Sequence, residues 1–256
     1  MRTNPVKEKL GRGETALGTM VFEFATPGLP ASLVAAGAEF ALYDMEHSGF
    51  TMDEMKRQFA YCRGLGLVPI VRPPEKTYAA TARLLDLGAM GLMFQMVGSR
   101  AEAEEIVRWT RYPPGGVRGA MFGGAHDDYK GGDIAHKMAV ADSRTFVLAM
   151  IETRQGMENM DEILAVPGID AGHLGQFDLS LSLGMPGKFD APEIQATIDR
   201  LVTTCGRHHK TAACMAPTLA IAKDWQRRGF RMISYGYDVG HLQEGLRQGL
   251  DALRKT

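Results

Sequence analysis

The chain has 256 residues, 45% of them hydrophobic and 23% charged, with 29 Lys and Arg against 30 Asp and Glu. The formal net charge of −1 supplies no overall positive field for phosphate backbones or anionic lipids, so the composition argues against nucleic-acid and membrane partners. The three cysteines, Cys62, Cys205 and Cys214, lie too far apart for a CxxC pair, which is typical of reduced thiols in a cytoplasmic protein.

Short apolar runs recur along the chain and predict eight β-strands. They cover residues 17–22, 40–44, 68–72, 91–96, 146–152, 169–175, 212–215 and 231–234. Continuous apolar runs of this length are typical of parallel strands that are buried on both faces. The sequence therefore predicts a parallel sheet.

Segments with helical start signals lie between these runs. Thr51 with Glu54, and Ser99 with Glu102, have the spacing of capping boxes, and Thr26 precedes a proline as an N-cap residue does. Each signal opens a segment whose apolar residues recur at helical spacing. The pattern predicts eight helices that alternate with the eight strands.

Eight strand–helix units of about 30 residues need about 240 residues, which this chain supplies. We therefore predict an α/β fold, with a single (β/α)8 TIM barrel domain over residues 1–256. The alternative is an open, doubly wound sheet. No glycine-rich fingerprint follows the first strand, which argues against that alternative for a dinucleotide-binding protein.

One long connection, at about residues 112–144, interrupts the regular alternation and is rich in Gly and Pro. Long insertions in compact domains usually serve function. Its place after the fourth strand predicts an active-site insertion over the barrel mouth. The alternative is a surface excursion that only buries an edge or a subunit contact.

In an eight-stranded α/β barrel the active site forms where the strands end, so charged residues at these ends are the candidate site. They are Asp44, Glu46, His47, Arg72, Glu152 and Asp178. Glu152 and Asp178 follow neighbouring strands, and two carboxylates with room for water suit Mg²⁺ or Mn²⁺ better than structural zinc. Taken singly, each acidic residue is more often a salt-bridge partner.

The remaining strand-end groups suit charge stabilisation and proton transfer. Arg72 would place a permanent positive charge where negative charge develops near the cation site. Asp44 and His47 are three residues apart, close enough for the carboxylate to hold one ring nitrogen and leave the other free. The structural alternative is that Arg72 only neutralises Glu46 or Glu152.

Five short segments, taken in order along the chain, form a recognisable set of sequence motifs. They read YDMEH at 43–47, PIVR at 69–72, YPPGGVRG at 112–119, IET at 151–153 and GQFDLS at 175–180. In this order and spacing, residues 18–238 resemble the HpcH/HpaI family of metal-dependent pyruvate aldolases. The resemblance implies a (β/α)8 barrel that forms homo-oligomers, trimers or hexamers, with the last helix exchanged between neighbouring subunits.

The resemblance also implies a site chemistry. Glu152 and Asp178 would hold a divalent metal ion, Mg²⁺, Mn²⁺ or Co²⁺, and a 2-oxo acid would chelate that ion. Arg72 would contact the keto oxygen and stabilise the enolate. His47, oriented by Asp44, would transfer a proton to and from the aldol hydroxyl.

Other residues of these motifs are expected to support this chemistry or to bind substrate. Glu46 belongs to the same motif and would support the reaction rather than take part in it. Backbone amides at Gly175 and Gly119 would approach the substrate carboxylate. Family members usually carry proline where this chain has Gln95 and Gln176.

Phe177 also stands where a small residue is common in the family. Glutamine adds a backbone donor and a side-chain amide that proline lacks. We therefore expect Gln95, Gln176 and Phe177 to contribute to substrate binding and to tune which oxo acid or aldehyde fits.

The favoured function is a class II aldolase, an aldehyde-lyase that cleaves or forms a 4-hydroxy-2-oxo acid from pyruvate, or hydroxypyruvate, and an aldehyde. One alternative is a decarboxylase of the oxaloacetate type, which reaches the same enolate by losing carbon dioxide. Another is a non-catalytic oligomeric binding protein. No lysine occupies a strand end where an imine route needs it, which favours the metal route.

Overall fold

Eight strands run through the apolar segments of the chain in the structure, a computed structural model that describes residues 1–255. They are β1 (Ala16–Val21), β2 (Phe40–Asp44), β3 (Val68–Arg72), β4 (Gly91–Phe94), β5 (Phe146–Ile151), β6 (Ala171–Leu174), β7 (Thr211–Ala216) and β8 (Met232–Tyr237). Each strand pairs in parallel with the next, and β8 pairs with β1 to close a barrel. The predicted (β/α)8 barrel is confirmed, and the open sheet is excluded.

Within residues 1–255 the structure has twelve α-helices and one 3₁₀ helix, at Ala125–Asp127. The α-helices are α1 (Pro5–Gly11), α2 (Gly28–Ala35), α3 (Met52–Leu65), α4 (Tyr78–Leu87), α5 (Arg100–Thr110), α6 (Ile134–Arg144), α7 (Arg154–Glu158), α8 (Met160–Leu164), α9 (Gln176–Ser182), α10 (Pro192–Arg207), α11 (Leu219–Arg228) and α12 (Asp238–Leu253). The structure thus has four more α-helices than the predicted eight. Helix α1 precedes the barrel, and α6 is an additional helix before β5. The β5–β6 and β6–β7 connections each contain two helices instead of one.

The capping box at Thr51 is confirmed, and the one at Ser99 is confirmed in part. Thr51 accepts from the backbone N–H of Glu54, and the Glu54 carboxylate accepts from the N–H of Thr51 at 2.8 Å, which completes the box at α3. Ser99 caps α5 through the N–H of Glu102, but Glu102 Oε2 accepts from the N–H of Gly98, at 2.7 Å. A side-chain cap of this kind contributes about 1 kcal/mol to helix stability.

The prediction that Thr26 is the N-cap of the next helix is wrong. Helix α2 begins at Gly28, and Pro27 occupies the N-cap position with helical backbone angles and no side-chain hydrogen bond. Thr26 contributes only its backbone carbonyl, which accepts from the N–H of Leu29 at 3.2 Å. Leu29 N–H donates to this carbonyl rather than to the Thr26 hydroxyl, so the helix begins without a side-chain cap.

Two apolar clusters hold the barrel together. One fills the space between strands and outer helices, and the other fills the barrel interior with side chains such as Leu42, Ile70 and Leu148. Helix α1 closes the amino-terminal end of the barrel: Val6 and Leu10 join the interior cluster. The open end of the barrel is therefore the one at which the strands finish.

Segment 112–144 does not lie where the sequence predicted. Helix α5 stands between β4 and this segment, and it returns the chain to the amino-terminal end of the barrel. The segment packs beside α3 and α4: Arg118 Nη2 donates to Asp86 Oδ1 at 2.8 Å, and Arg63 Nη2 donates to the carbonyl of Ala125 at 3.2 Å. In this protomer it matches the alternative of a surface excursion rather than a cover over the mouth.

The three cysteines are free and buried. Across residues 1–255, no helix combines the length and the apolar character that crossing a membrane requires.

Candidate active site

Strands β2 and β3 end in side chains of opposite charge that pair with each other. Asp44 and Arg72 are register partners on the two neighbouring strands. Arg72 Nε donates to Asp44 Oδ1 at 2.9 Å, and Nη2 donates to Oδ2, with both side chains almost fully buried. Burial lowers the pKa of Arg72, but the hydrogen bond and charge of Asp44, followed by the charges of Glu46 and Glu152, outweigh it and raise that pKa. The guanidinium is thus fixed and cationic.

This pairing changes the role predicted for Asp44. Its Oδ1 also accepts from the backbone N–H groups of Glu46, at 2.9 Å, and His47, at 3.3 Å. The ring of His47 lies instead near Glu46, with Nε2 at 3.7 Å from Glu46 Oε2, and is 57% exposed. The expectation that Asp44 orients the imidazole is therefore corrected: its carboxylate follows the strand inward to Arg72, whereas His47 lies beyond the turn.

Glu152 follows β5 directly and is 1% exposed. Its Oε1 accepts from the backbone N–H of Met96 at 2.7 Å, whereas Oε2 has no hydrogen-bond partner among residues 1–255. Burial, followed by the charges of Asp178 and Glu46, raises the pKa of Glu152 to about 7, although the Met96 bond and Arg72 act in the opposite direction. One carboxylate oxygen is therefore free of protein partners.

The residue next to that oxygen must be glycine. A Cβ at Gly175 would lie 2.4 Å from Glu152 Oε2 and 2.5 Å from Glu152 Cβ, distances that real Cβ atoms do not show. The N–H of Gly175 donates to the carbonyl of Ile151 at 3.1 Å. The Gly175 N–H is therefore paired within the protein, and the glycine makes room for Glu152; that it lets backbone amides approach the substrate carboxylate stays a prediction.

The residues present fit a divalent cation. Asp178 lies in the first turn of α9, close enough for its charge to raise the pKa of Glu152. Residues 1–255 contain no group of three or more His, Cys, Asp and Glu side chains with ligand geometry, so the protein would offer two carboxylates. Hard cations such as Mg²⁺ accept this arrangement, because water and substrate oxygens complete their coordination.

A cavity of about 590 Å³ opens at this end of the barrel. Six of the predicted site residues line it, namely His47, Arg72, Gly175, Gln176, Phe177 and Asp178. The other lining residues are mostly apolar, and three are methionines: Met20, Met150 and Met215. Charged groups and an apolar wall therefore meet in one pocket.

The predicted substrate-binding residues divide into two groups. Gln176 lines the cavity and donates to the carbonyl of Met215 at 3.2 Å, and Phe177, 49% exposed, stands at its rim. Gln95 is outside the cavity lining and donates to the carbonyl of Pro73 at 3.2 Å.

Gly119 also lies away from the cavity. Its N–H donates to the hydroxyl of Tyr78 at 2.9 Å, at the start of α4. This placement follows from the position of segment 112–144 after α5; Gly119 does not line the cavity of its own protomer, and its substrate contact stays a prediction.

The sequence reasoning missed His173, which lines the cavity floor from within β6. Its ring is buried, and neither nitrogen has a hydrogen-bond partner in the described chain. The available signal was a histidine inside an otherwise apolar strand, which also reads as a core residue.

The chain is similar to several known proteins. A 2-keto-3-deoxy-L-rhamnonate aldolase of Escherichia coli is 32% identical over 253 residues, which are 97% of this chain and 92% of the relative. Its namesake in Klebsiella pneumoniae is 33% identical over 238 residues, which are 93% and 88% of the two chains. The crystal structure of an HpcH/HpaI aldolase from Desulfitobacterium hafniense DCB-2 has a TM-score of 0.93 at 29% identity and covers 98% of this chain and 97% of that one.

These relatives are named aldolases, which confirms the expectation of an enzyme of the lyase class and removes support from the non-catalytic alternative. Residues 20–244 match the family described as HpcH/HpaI aldolase/citrate lyase. The resemblance drawn from the five motifs is confirmed: the chain belongs to the HpcH/HpaI aldolase/citrate lyase family.

Proposed function

We propose that this protein is a divalent-metal-dependent aldolase that cleaves or forms a 4-hydroxy-2-oxo acid, with pyruvate or a close relative and an aldehyde as the smaller reactants. The observation that supports this most is the unpaired Oε2 of Glu152, buried next to Asp178 and within the field of the fixed Arg72 guanidinium. The similarity to named aldolases supports the same reaction class.

The residues assigned to substrate activation are Glu152, Asp178 and Arg72. A divalent cation held by the two carboxylates would supply the positive charge that lowers the cost of removing a proton next to a keto group. Arg72 faces the same cavity, and its charge cannot be lost at neutral pH. We assign Arg72 to the keto oxygen, where preorganised positive charge favours the enolate over the neutral acid.

Proton transfer is assigned to His47. The imidazole lines the cavity and is more than half exposed, so it can exchange protons with water at the mouth. Glu46 Oε2 lies 3.7 Å from His47 Nε2, and we assign to Glu46 a supporting role beside the ring. Asp44 acts through Arg72 instead, as a positioning residue.

Gln95, Gln176 and Phe177 are assigned to shaping the acid and aldehyde sites. Gln176 and Phe177 line the cavity directly. Gln95 holds the loop after β3 through the carbonyl of Pro73 and acts from behind the wall. The three side chains therefore set the size and polarity of the pocket rather than the chemistry.

Proton exchange tests the proposed function. Pyruvate is incubated with the protein in D₂O with Mg²⁺, Mn²⁺ or Co²⁺, and loss of the methyl proton signal is followed by NMR. We expect exchange with at least one metal ion, arrest by EDTA, and strong slowing in Arg72→Ala.

A lack of exchange with every metal ion would refute an enolising enzyme. Release of carbon dioxide from oxaloacetate that exceeds the rate of retro-aldol cleavage would favour the decarboxylase instead. In both assays Arg72→Ala is the control, because activity that survives in this variant comes from a contaminating enzyme and not from the proposed site.

We also propose that the protein is a homo-oligomer in which α12 docks on a second copy. Beyond its first turn α12 presents Leu242, Leu246 and Leu250 on one exposed face. An apolar groove of about 630 Å³, lined by residues such as Leu33, Leu219 and Ile233, lies between α2 and α11, where the barrel's final helix is expected to pack. A second copy's α12 has the apolar face that this groove requires.

A further inference from the structure

His173 stands at the floor of the active-site cavity. It is the third residue of β6 and is a register partner of Met150 on β5 and Ala213 on β7. Ala171, two residues earlier, belongs to the cluster inside the barrel, and side chains two apart on a strand share a face. The imidazole therefore projects into the barrel interior, where it lines the cavity.

The surroundings of His173 leave both ring nitrogens without partners. Neither Nδ1 nor Nε2 has a hydrogen bond within residues 1–255, although the residue is only 1% exposed. Met20, Met150 and Met215 line the same floor, and thioethers are at best weak acceptors. Buried polar groups are normally paired, so an unpaired imidazole that faces a ligand cavity indicates a contact with the ligand.

The ring is neutral at any pH at which the enzyme would work. Burial, followed by the charge of Arg72, lowers the pKa of His173 to about 3, although the nearby backbone of Leu174, too poorly aligned for a hydrogen bond, acts in the opposite direction. A neutral imidazole has one N–H donor and one acceptor nitrogen. The acceptor nitrogen can be satisfied only by a group that brings a hydrogen.

An unsubstituted 2-oxo acid offers acceptor oxygens only, whereas a hydroxyl can both donate and accept. Arg72 and His173 line the same cavity, and because Arg72 is assigned to the keto oxygen, we assign to His173 an atom next to the keto carbon. One neighbour of that carbon is the carboxylate, which cannot donate. The other is the carbon that becomes the enolate carbon.

We propose that His173 is a specificity-determining residue that hydrogen-bonds a hydroxyl on this carbon, so that the site takes a 2-oxo acid hydroxylated next to its keto group. The inference rests on the proposed aldolase function and deepens it. It also separates this chain from the relatives named above, since the name 2-keto-3-deoxy-L-rhamnonate describes an acid without that hydroxyl.

The test compares two donors, pyruvate and hydroxypyruvate, with Mg²⁺ in both assays. The measured quantity is the ratio of their kcat/KM values for addition to glycolaldehyde, together with the ratio of their C3 proton exchange rates in D₂O. We expect His173→Leu to lower the hydroxypyruvate-to-pyruvate ratio about tenfold, as the loss of one hydrogen bond of about 1.4 kcal/mol does. His173→Gln should retain part of the preference.

His208→Leu is the matched control, because it makes the same substitution outside the cavity lining, and its ratio should equal that of the wild type. A ratio is insensitive to the fraction of folded enzyme, so a structural role for His173 would not move it. An independent readout is the imidazole ¹⁵N spectrum of the wild type, in which hydroxypyruvate should shift the His173 signals and pyruvate should not.

The outcomes are distinguishable. If both donors exchange protons but the ratio is the same in wild type and His173→Leu, or if the ¹⁵N signals respond equally to both acids, the role of His173 is refuted while the aldolase stands. If neither donor exchanges with any metal ion, the proposed function fails, and this inference fails with it.

Discussion

Asp44 makes more contacts than a single catalytic role requires. Its carboxylate receives two hydrogen bonds from Arg72 and two from the backbone N–H groups of Glu46 and His47. It therefore fixes the direction of a guanidinium and the turn that leads to the imidazole. One substitution at this residue should disturb both.

We expect Asp44→Asn to lower the free energy of unfolding by about 3 kcal/mol, because it leaves the buried Arg72 with the more exposed Glu46 as its nearest counter-charge. Pyruvate proton exchange should fall at least about tenfold, the effect of about 1.4 kcal/mol in transition-state stabilisation. Urea unfolding and NMR measure the two quantities. The control is Asp53→Asn, which breaks an exposed pair with Arg57 and should cost less than about 0.5 kcal/mol. Equal losses in the two variants would contradict the account.

Glu152 makes the stability of the metal-free protein depend on pH. Its pKa of about 7 in the folded chain exceeds the ordinary value of 4.5. Between these values the unfolded chain ionises first, so stability falls as the pH rises from about 4.5 to 7, by at most about 3 kcal/mol. Below pH 4.5 Glu152 is protonated in both the folded and the unfolded chain, so its ionisation no longer lowers the stability.

We therefore expect the unfolding free energy of the wild type, measured in chelator and expressed relative to Glu152→Gln, to decline over this interval. Metal affinity should rise over the same interval, because the cation must displace the proton. Denaturation at several pH values and calorimetric titration measure the two trends. A difference between wild type and variant that stays constant with pH would show that Glu152 does not titrate there.

At the scale of secondary-structure elements, the strand ends were predictable and the contacts between them were not. Buried runs that finish in Asp44, Arg72 and Glu152 show in the sequence where polar side chains meet the barrel mouth. The pairing of Asp44 with Arg72 rather than with His47 depends on the register of β2 with β3, a non-local property. His173 was missed because a histidine in a buried strand has the same local pattern whether it packs or binds.

At the junction of β6 and α9, the geometry of the site depends on the absence of a side chain at Gly175. Gly175→Ala would bring a methyl group within 2.4 Å of Glu152 Oε2, so Glu152 must move. We expect metal affinity to fall more than about tenfold, as loss of one ligand's geometry does. Calorimetry with Mn²⁺ measures it. Gly206→Ala is the control: it has open space within α10 and should leave affinity unchanged and stability slightly raised. An unaltered affinity in Gly175→Ala would contradict the proposed ligand.

At the scale of the whole molecule, length and alternation predicted the closed barrel, because a parallel sheet with a helix after each strand has few economical arrangements in a single domain. The position of segment 112–144 was not predictable from its place in the chain order alone. It depends on α5 having already crossed the outside of the barrel, and on pairs such as Arg118 with Asp86 that join distant elements.

The exposed leucines of α12 make a prediction at this scale. The double variant Leu246→Glu with Leu250→Glu should dissociate the oligomer, because two charges would enter an apolar contact. Light scattering coupled to size-exclusion chromatography measures the mass. The control, Gln243→Glu with Gln248→Glu, adds the same charge to polar positions of the same helix. A wild type with the mass of a single chain would refute helix exchange.

Helix α1 lies at the far end of the barrel from the chemistry, yet it has a consequence for kinetics. Asn4 Nδ2 donates to the carbonyls of Met90 and Arg144, at 3.1 and 3.0 Å, and holds α1 against the amino-terminal end of the barrel. In the proposed aldolase reaction both reactants would therefore use the opposite mouth, and an acid held at Glu152, Asp178 and Arg72 would lie below the aldehyde. We expect the aldehyde to leave first during cleavage and the acid to bind first during synthesis. Ordered binding and release would then follow from a helix that contacts neither molecule.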